Sequence, residues 1–150
     1  MKQQLSATII LLCIAFFTCS NTKAQTITVK NLITMTSLSK EDLVKYLQKN
    51  YSAVNKALPD SARDTWNCTV STFGGVSFYS YTREINDNRI SIILSMPYKE
   101  LFDKLEQEVK DMKIKKAEDG VYENEKYLIF PMKTYDERGR DMYTVRVEAK

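Results

Sequence analysis

Histidine is absent from the 150-residue sequence, and its absence excludes several classes of functional site at once. Ser-His-Asp and Cys-His catalytic arrangements, histidine-containing zinc sites and histidine general bases all need an imidazole. Neither a G-x-G-x-x-G nor a G-x-x-x-x-G-K motif occurs, so no sequence feature indicates a nucleotide site. The length of the chain predicts one domain.

The N-terminal segment has the pattern of a secretory signal peptide. A basic start at Lys2 is followed by a mostly apolar stretch from Leu5 to Cys19, and Thr22-Lys23-Ala24 then ends in a small residue. The apolar stretch is shorter than the ~20 residues that a membrane-spanning helix needs. We therefore predict a signal peptide over 1–24 and a single exported domain over 25–150, in the periplasm or outside the cell.

A lipoprotein is the alternative form of export, with Cys19 as the acylated residue. Phe16 and Thr18 stand where lipoprotein signals usually have Leu and a small residue, so the match is poor. The Ala24-Gln25 junction resembles the start of mature exported proteins of Bacteroidota. In such proteins an Asp-Ser-small sequence can carry an O-linked sugar, and this resemblance makes Ser61 a candidate modification site.

Cysteine is scarce, and the leader contains two of the three cysteines, Cys13 and Cys19. The remaining residue, Cys68, cannot form a disulfide within the mature domain. We expect it to be buried, because it alternates with Trp66 and Val70 on one face of a predicted strand. Without a histidine to act as its base, it is a poor candidate for a nucleophile.

The charge of the mature domain is nearly balanced. A chain that begins at Gln25 has 20 Lys and Arg against 19 Asp and Glu, a net charge of +1. This balance argues against nucleic acid or an anionic membrane as the main partner. Acidic residues cluster between Glu106 and Glu125, but interleaved lysines favour a solvated surface over a Ca²⁺ site.

Two segments have apolar residues at helical spacing. The first stripe predicts a helix over 40–57 that ends at Pro59, and consists of Leu43, Val44, Leu47, Tyr51, Val54 and Leu58. The second stripe predicts a helix that begins near Pro97, and consists of Leu101, Phe102, Leu105, Val109 and Met112.

The rest of the chain alternates with the period of β-strands. We predict a short strand or extended lead-in over 25–30, and strands over 66–71, 76–83, 89–94, 126–133 and 141–148. Short connections make neighbouring strands antiparallel. The predicted fold is α+β, with two helices on one face of a largely antiparallel meandering sheet in the order (β)αβββαβββ. Residues 42–47 align with 100–105, which leaves an internal αβββ duplication open.

The candidate binding residues are Tyr79, Tyr81 and Arg83, on one face of the strand 76–83. Helices cover only one face of such a sheet, and exposed faces rich in Tyr with an Arg are typical of recognition surfaces. We expect these three side chains on the uncovered face. The alternative is that tyrosine is simply a favourable strand residue.

These observations favour a small exported, non-catalytic binding module of the bacterial cell envelope. We expect it to recognise a protein or envelope component through the Tyr-rich face, with no cofactor and no bound metal. A small secreted hydrolase that uses carboxylates is one alternative. A structural subunit that self-associates through an edge strand near Lys126 to Met132 is the other.

Overall fold

The computed structural model describes residues 26–57, 63–72, 75–117 and 119–150. The helices of these residues are α1 (Val29–Thr36), α2 (Lys40–Asn50) and α3 (Lys99–Asp111). The strands are β1 (Ala53–Lys56), β2 (Arg63–Thr72), β3 (Gly75–Asn86), β4 (Arg89–Met96), β5 (Lys115–Lys116), β6 (Tyr122–Glu123), β7 (Tyr127–Tyr135) and β8 (Asp141–Ala149). The predicted α+β class is confirmed, and no described helix is long and apolar enough to cross a membrane.

All eight strands form one antiparallel sheet in the order β1-β2-β3-β4-β8-β7-β6-β5. The sheet has two halves, each made of a helix followed by a four-stranded meander. The halves meet at the centre, where β4 pairs with β8 and Leu94 lies opposite Val145. A duplication would produce this arrangement, and duplication stays a prediction.

The first helix, α1, was not predicted: it takes up Val29 and Lys30 from the stretch 25–30 that we predicted as a short strand or extended lead-in, while Thr28 before it is extended. The Thr28 side chain accepts a hydrogen bond from the Asn31 amide and acts as an N-cap. Glu108 of α3 accepts further hydrogen bonds from the first turn, at the amides of Val29 and Lys30. The predicted strand was wrong, because β-branched residues that favour a strand lead here into a helix whose N-terminus is held by a distant side chain.

The second helix, α2, begins where predicted, with Ser39 as its N-cap, but ends at Asn50 rather than near residue 57. After it, Ala53–Lys56 forms edge strand β1 and Val54 lies opposite Cys68. The Ser52 amide donates to the Thr69 carbonyl and extends this pairing. Tertiary pairing with β2 thus overrides the helical spacing of Tyr51 and Val54. The third helix, α3, is confirmed in place, but it begins at Lys99, two residues after Pro97, and Met112 of the predicted stripe is its exposed C-cap.

The hydrophobic core lies between the helices and one face of the sheet. The helices contribute Val29, Leu32, Met35, Leu43, Leu47, Leu105 and Val109. The sheet contributes Trp66, Cys68, Tyr81, Ile92, Leu94, Met96, Tyr122, Ile129, Tyr143, Val145 and Val147. Burying each large apolar side chain contributes roughly 1.5–3 kcal/mol, so this layer is the main source of stability. The expected burial of Cys68 is confirmed.

Candidate functional site

The predicted tyrosine face is the helix-covered face of the sheet. Tyr81 is 1% exposed and belongs to the core, while Tyr79 is half-buried against it. Arg83, two residues further on the same face, is also only partly exposed. The expectation that this face is uncovered is therefore wrong. Alternation defines two faces of β3 but does not tell which one the helices cover, because both carry aromatic residues.

These tyrosines form a packed cluster with two others. The hydroxyls of Tyr51 and Tyr81 are hydrogen-bonded to each other. The Tyr79 ring lies 5.8 Å from the Tyr51 ring and 5.5 Å from that of Tyr98, centroid to centroid. Burial raises the pKa of both Tyr51 and Tyr81 well above the ordinary value. These phenols are thus neutral, and the cluster is suited to packing; a binding role for Tyr79, Tyr81 and Arg83 stays a prediction.

Three other candidates from the sequence were Cys68, Ser61 and the self-association edge near Lys126 to Met132. Burial raises the pKa of the Cys68 thiol to about 12, so the thiolate that a nucleophile needs is not populated near neutral pH. Ser61 lies outside the described residues. The predicted self-association edge is covered in part, because β6 pairs with Leu128 and Ile129 of β7.

The opposite face of the sheet, which none of the described helices covers and which we call the helix-free face, has a polar centre. Thr65 of β2 and Thr82 of β3 join their hydroxyls at 2.9 Å. Ser95 of β4 and Thr144 of β8 do the same at 3.2 Å. Such hydroxyl pairs satisfy polar groups on this face.

An ion-pair network lies at one end of this face. The Glu84 carboxylate, on a residue only 4% exposed, is 2.5 Å from Nε of Arg63 and 3.5 Å from a guanidinium nitrogen of Arg146. Glu148 binds the other terminal nitrogen of Arg146 at 3.0 Å and Arg89 at 3.2 Å. This end of the face is therefore closed by ion pairs, although the buried Nε of Arg146 has no hydrogen-bond partner among the described residues.

The other end of the helix-free face contains a cleft of about 500 Å³. Its lining residues are Asn67, Cys68, Phe78, Tyr79, Ser80, Ser95, Pro97, Asp136, Arg140, Asp141 and Met142. Phe78, one of its apolar members, is 59% exposed. An open concave site with apolar side chains and a few polar groups is the usual form of a ligand site.

One wall of the cleft is the turn between β7 and β8, which is ordered by Asp136. One carboxylate oxygen accepts hydrogen bonds from the amides of Arg138 and Arg140, both at 2.9 Å. The other oxygen accepts one from Nε of Arg140 at 2.6 Å. The amide and guanidinium of Arg140 hold the pKa of Asp136 below its usual value. Asp136 is therefore ionised, and its hydrogen bonds hold the turn between β7 and β8 in this conformation.

The other wall is the part of β3 that extends beyond β4. Pairing between these strands stops at Ser80 and Ser95, whereas β3 continues to Gly75. The Phe78 amide, which points to the side of β4, donates to the Tyr98 hydroxyl at 2.8 Å. This part of β3 thus presents a strand edge toward the cleft.

Sequence reasoning did not identify Phe78, Arg140 or Met142 as site residues. One signal pointed to the region: the 18 residues from Thr65 to Thr82 contain no charged side chain. The two walls of the cleft come together only because of the order of the strands in the sheet, and a local sequence pattern does not predict that order. Within the described residues, no group of three or more cysteine and carboxylate side chains is arranged to hold a metal ion.

Comparison of the chain with protein-family models, with curated proteins and with solved structures gave no match.

Proposed function

We propose that this protein is an exported, non-catalytic binding module of the bacterial cell envelope that captures a protein partner in the cleft on its helix-free face. The observation that carries this proposal is the exposure of Phe78 beside that cleft. Monomeric domains bury most large aromatic side chains, and aromatic residues in pockets supply much of the free energy of protein binding. The site residues proposed are Phe78, Met142 and Arg140.

The carboxylates of the cleft support binding rather than hydrolysis. A general acid of a glycosidase needs a raised pKa, so that it is protonated when the reaction begins. The pKa of Asp136 is lowered, and both of its oxygens already accept hydrogen bonds from the turn. Asp141 pairs with Lys133 at 2.8 Å. Both carboxylates thus stabilise the wall of the cleft.

Replacement of Phe78 by Ser tests the proposal, with Ile85→Ser as the matched control. Ile85 lies on the same strand with a similar exposed fraction, 50%, but at the opposite end of β3. The wild type and both variants are used to capture partners from a cell-envelope fraction, and the captured protein is then purified and titrated calorimetrically. We expect Phe78→Ser to weaken its binding at least tenfold, since a buried Phe contributes roughly 1.5–3 kcal/mol. Equal affinity of both variants would refute the proposed site.

Export is tested separately by the intact mass of the protein from its native host. A chain that starts at Gln25 supports the proposed cleavage, and added sugar mass on Ser61 supports the modification. A diacylated chain that starts at Cys19 would move the module to a membrane anchor.

A further inference from the structure

We infer that the cleft takes an extended polypeptide segment of the partner, which adds to the sheet as a strand along the edge of β3 at Val76–Phe78. This inference rests on the proposed binding function and specifies its mode. Strand addition gains affinity from main-chain hydrogen bonds and selectivity from alternate side chains.

The register of the sheet leaves a gap the width of one strand. β4 pairs with β3 on one side and with β8 on the other, and its last residue is Met96. Pro97 then turns the chain toward α3 and has no amide to donate. Beyond that point β3 and the β7–β8 hairpin flank the position that β4 has left. Neighbouring strands lie ~4.8 Å apart, so this gap spans about 10 Å.

The backbone of β3 points its hydrogen-bonding groups into the gap. In an antiparallel pair the amide and carbonyl of alternate residues face the same side. The Phe78 amide faces the gap, because it donates to the Tyr98 hydroxyl there. The amide and carbonyl of Val76, two residues earlier, therefore face the gap as well. An incoming strand can therefore form hydrogen bonds with the amide and carbonyl of Val76 and with the carbonyl of Phe78, while the Phe78 amide stays bonded to Tyr98.

Among the described residues, this edge carries neither a charged side chain nor a proline to prevent strand addition, and the Tyr98 hydroxyl takes the Phe78 amide but not the groups of Val76. Natural proteins block free edges with charged side chains, prolines or bulges. The run from Thr65 to Thr82 contains neither a charge nor a proline. Val76 and Phe78 are 53% and 59% exposed, and lie on the helix-free face. A strand edge with so little protection is a liability unless a partner uses it.

The lining of the cleft defines the chemistry of the segment. Phe78 and Met142 lie on the two sides of the gap, and offer an apolar contact to one side chain of the bound strand. Ser80, Ser95 and Asn67 offer uncharged polar contacts nearby. Arg140 is neutralised by Asp136, and Asp141 pairs with Lys133. The best occupant is therefore an uncharged β-prone segment with one aromatic or large aliphatic side chain.

The test uses synthetic peptides in which Thr and Val alternate around one Phe, with a terminal Lys for solubility. Binding is followed by the NMR shifts of the backbone amides and by their hydrogen exchange. Val76→Pro removes the amide that faces the gap, whereas Val76→Ala keeps it and serves as the matched control. Proline is tolerated in an edge strand where its missing amide faces outward. We expect slowed exchange at Val76 with bound peptide, and affinity at least tenfold lower for Val76→Pro than for Val76→Ala.

Equal peptide affinity of Val76→Pro and Val76→Ala would overturn strand addition, and so would an unchanged exchange rate at Val76. The proposed function would survive these outcomes if Phe78→Ser still loses the purified partner. If Val76→Pro fails to fold, a peptide methylated at its β3-facing amides replaces it, and unweakened binding of that peptide would refute the inference. If the wild type without any peptide sediments as a dimer and Phe78→Ser sediments as a monomer, the occupant of the gap is a second copy of this chain instead.

Discussion

Glu108 on α3 accepts a hydrogen bond from the Val29 amide at the start of α1, at 3.0 Å, although the two residues are 79 positions apart. Its second oxygen accepts from the Lys30 amide at 3.3 Å. The first amides of a helix have no partner within the helix, and its N-terminus favours negative charge. One carboxylate thus caps α1 and joins it to α3.

Replacement of Glu108 by Ala should lower the free energy of unfolding by about 1–2 kcal/mol, the usual cost of a lost helix cap. Urea denaturation measures this value. Glu106→Ala is the control, because Glu106 pairs with Lys110 along the partly exposed side of the helix and its loss should cost less than about 0.5 kcal/mol. Equal losses in the two variants would show that the contact to Val29 adds nothing to stability.

Tyr81 should behave as a core residue, contrary to its predicted role on an exposed face. We expect Tyr81→Ser to cost about 3–5 kcal/mol, because it leaves a large cavity beside the helices. Tyr81→Phe keeps the ring and loses only the hydrogen bond to Tyr51, at a cost of about 1 kcal/mol. Thermal or urea unfolding separates the two. A Tyr81→Ser protein as stable as the wild type would contradict the burial of this residue.

Asp64 stabilises the fold by an amount that depends on pH. Its partial burial raises the pKa, but Lys40 at 2.8 Å and Lys56 at 3.1 Å outweigh that effect and hold the pKa below its ordinary value of 3.8. A carboxyl group with a lowered folded pKa stabilises the fold above its unfolded pKa. That contribution is lost as the pH falls through the folded value.

Asp64→Asn should therefore be less stable than the wild type at pH 7, by up to about 1 kcal/mol since both lysines are partly exposed. The two proteins should become equally stable in strong acid, which denaturant titrations over a pH series can follow. Asp103→Asn, which breaks an exposed pair with Lys99 on α3, should change little at either pH. A gap between Asp64→Asn and wild type that persists in strong acid would rule out the ionic origin.

The parts of the fold that could be predicted are those in which buried apolar residues recur at regular spacing along the chain. Leu43 and Leu47, or Leu105 and Val109, identify buried helix faces without any knowledge of the partner. The start of α1 was not predictable in this way, because Glu108 supplies its cap from a distant helix. The cleft was missed for the same reason: Phe78 and Met142 come together only through the order of strands β3, β4 and β8.

The ion pairs of Glu84 should matter for stability, because this side chain is nearly inaccessible to water while Arg63 remains mostly exposed. We expect Glu84→Gln to cost about 2 kcal/mol, since it leaves Arg146 with less charge compensation. A double-mutant cycle with Arg63→Met should give a coupling energy of at least about 1 kcal/mol by urea unfolding. Arg89→Met, which removes the more exposed pair with Glu148, should cost under about 1 kcal/mol. If Glu84→Gln costs no more than Arg89→Met, burial does not strengthen the ion pairs of Glu84.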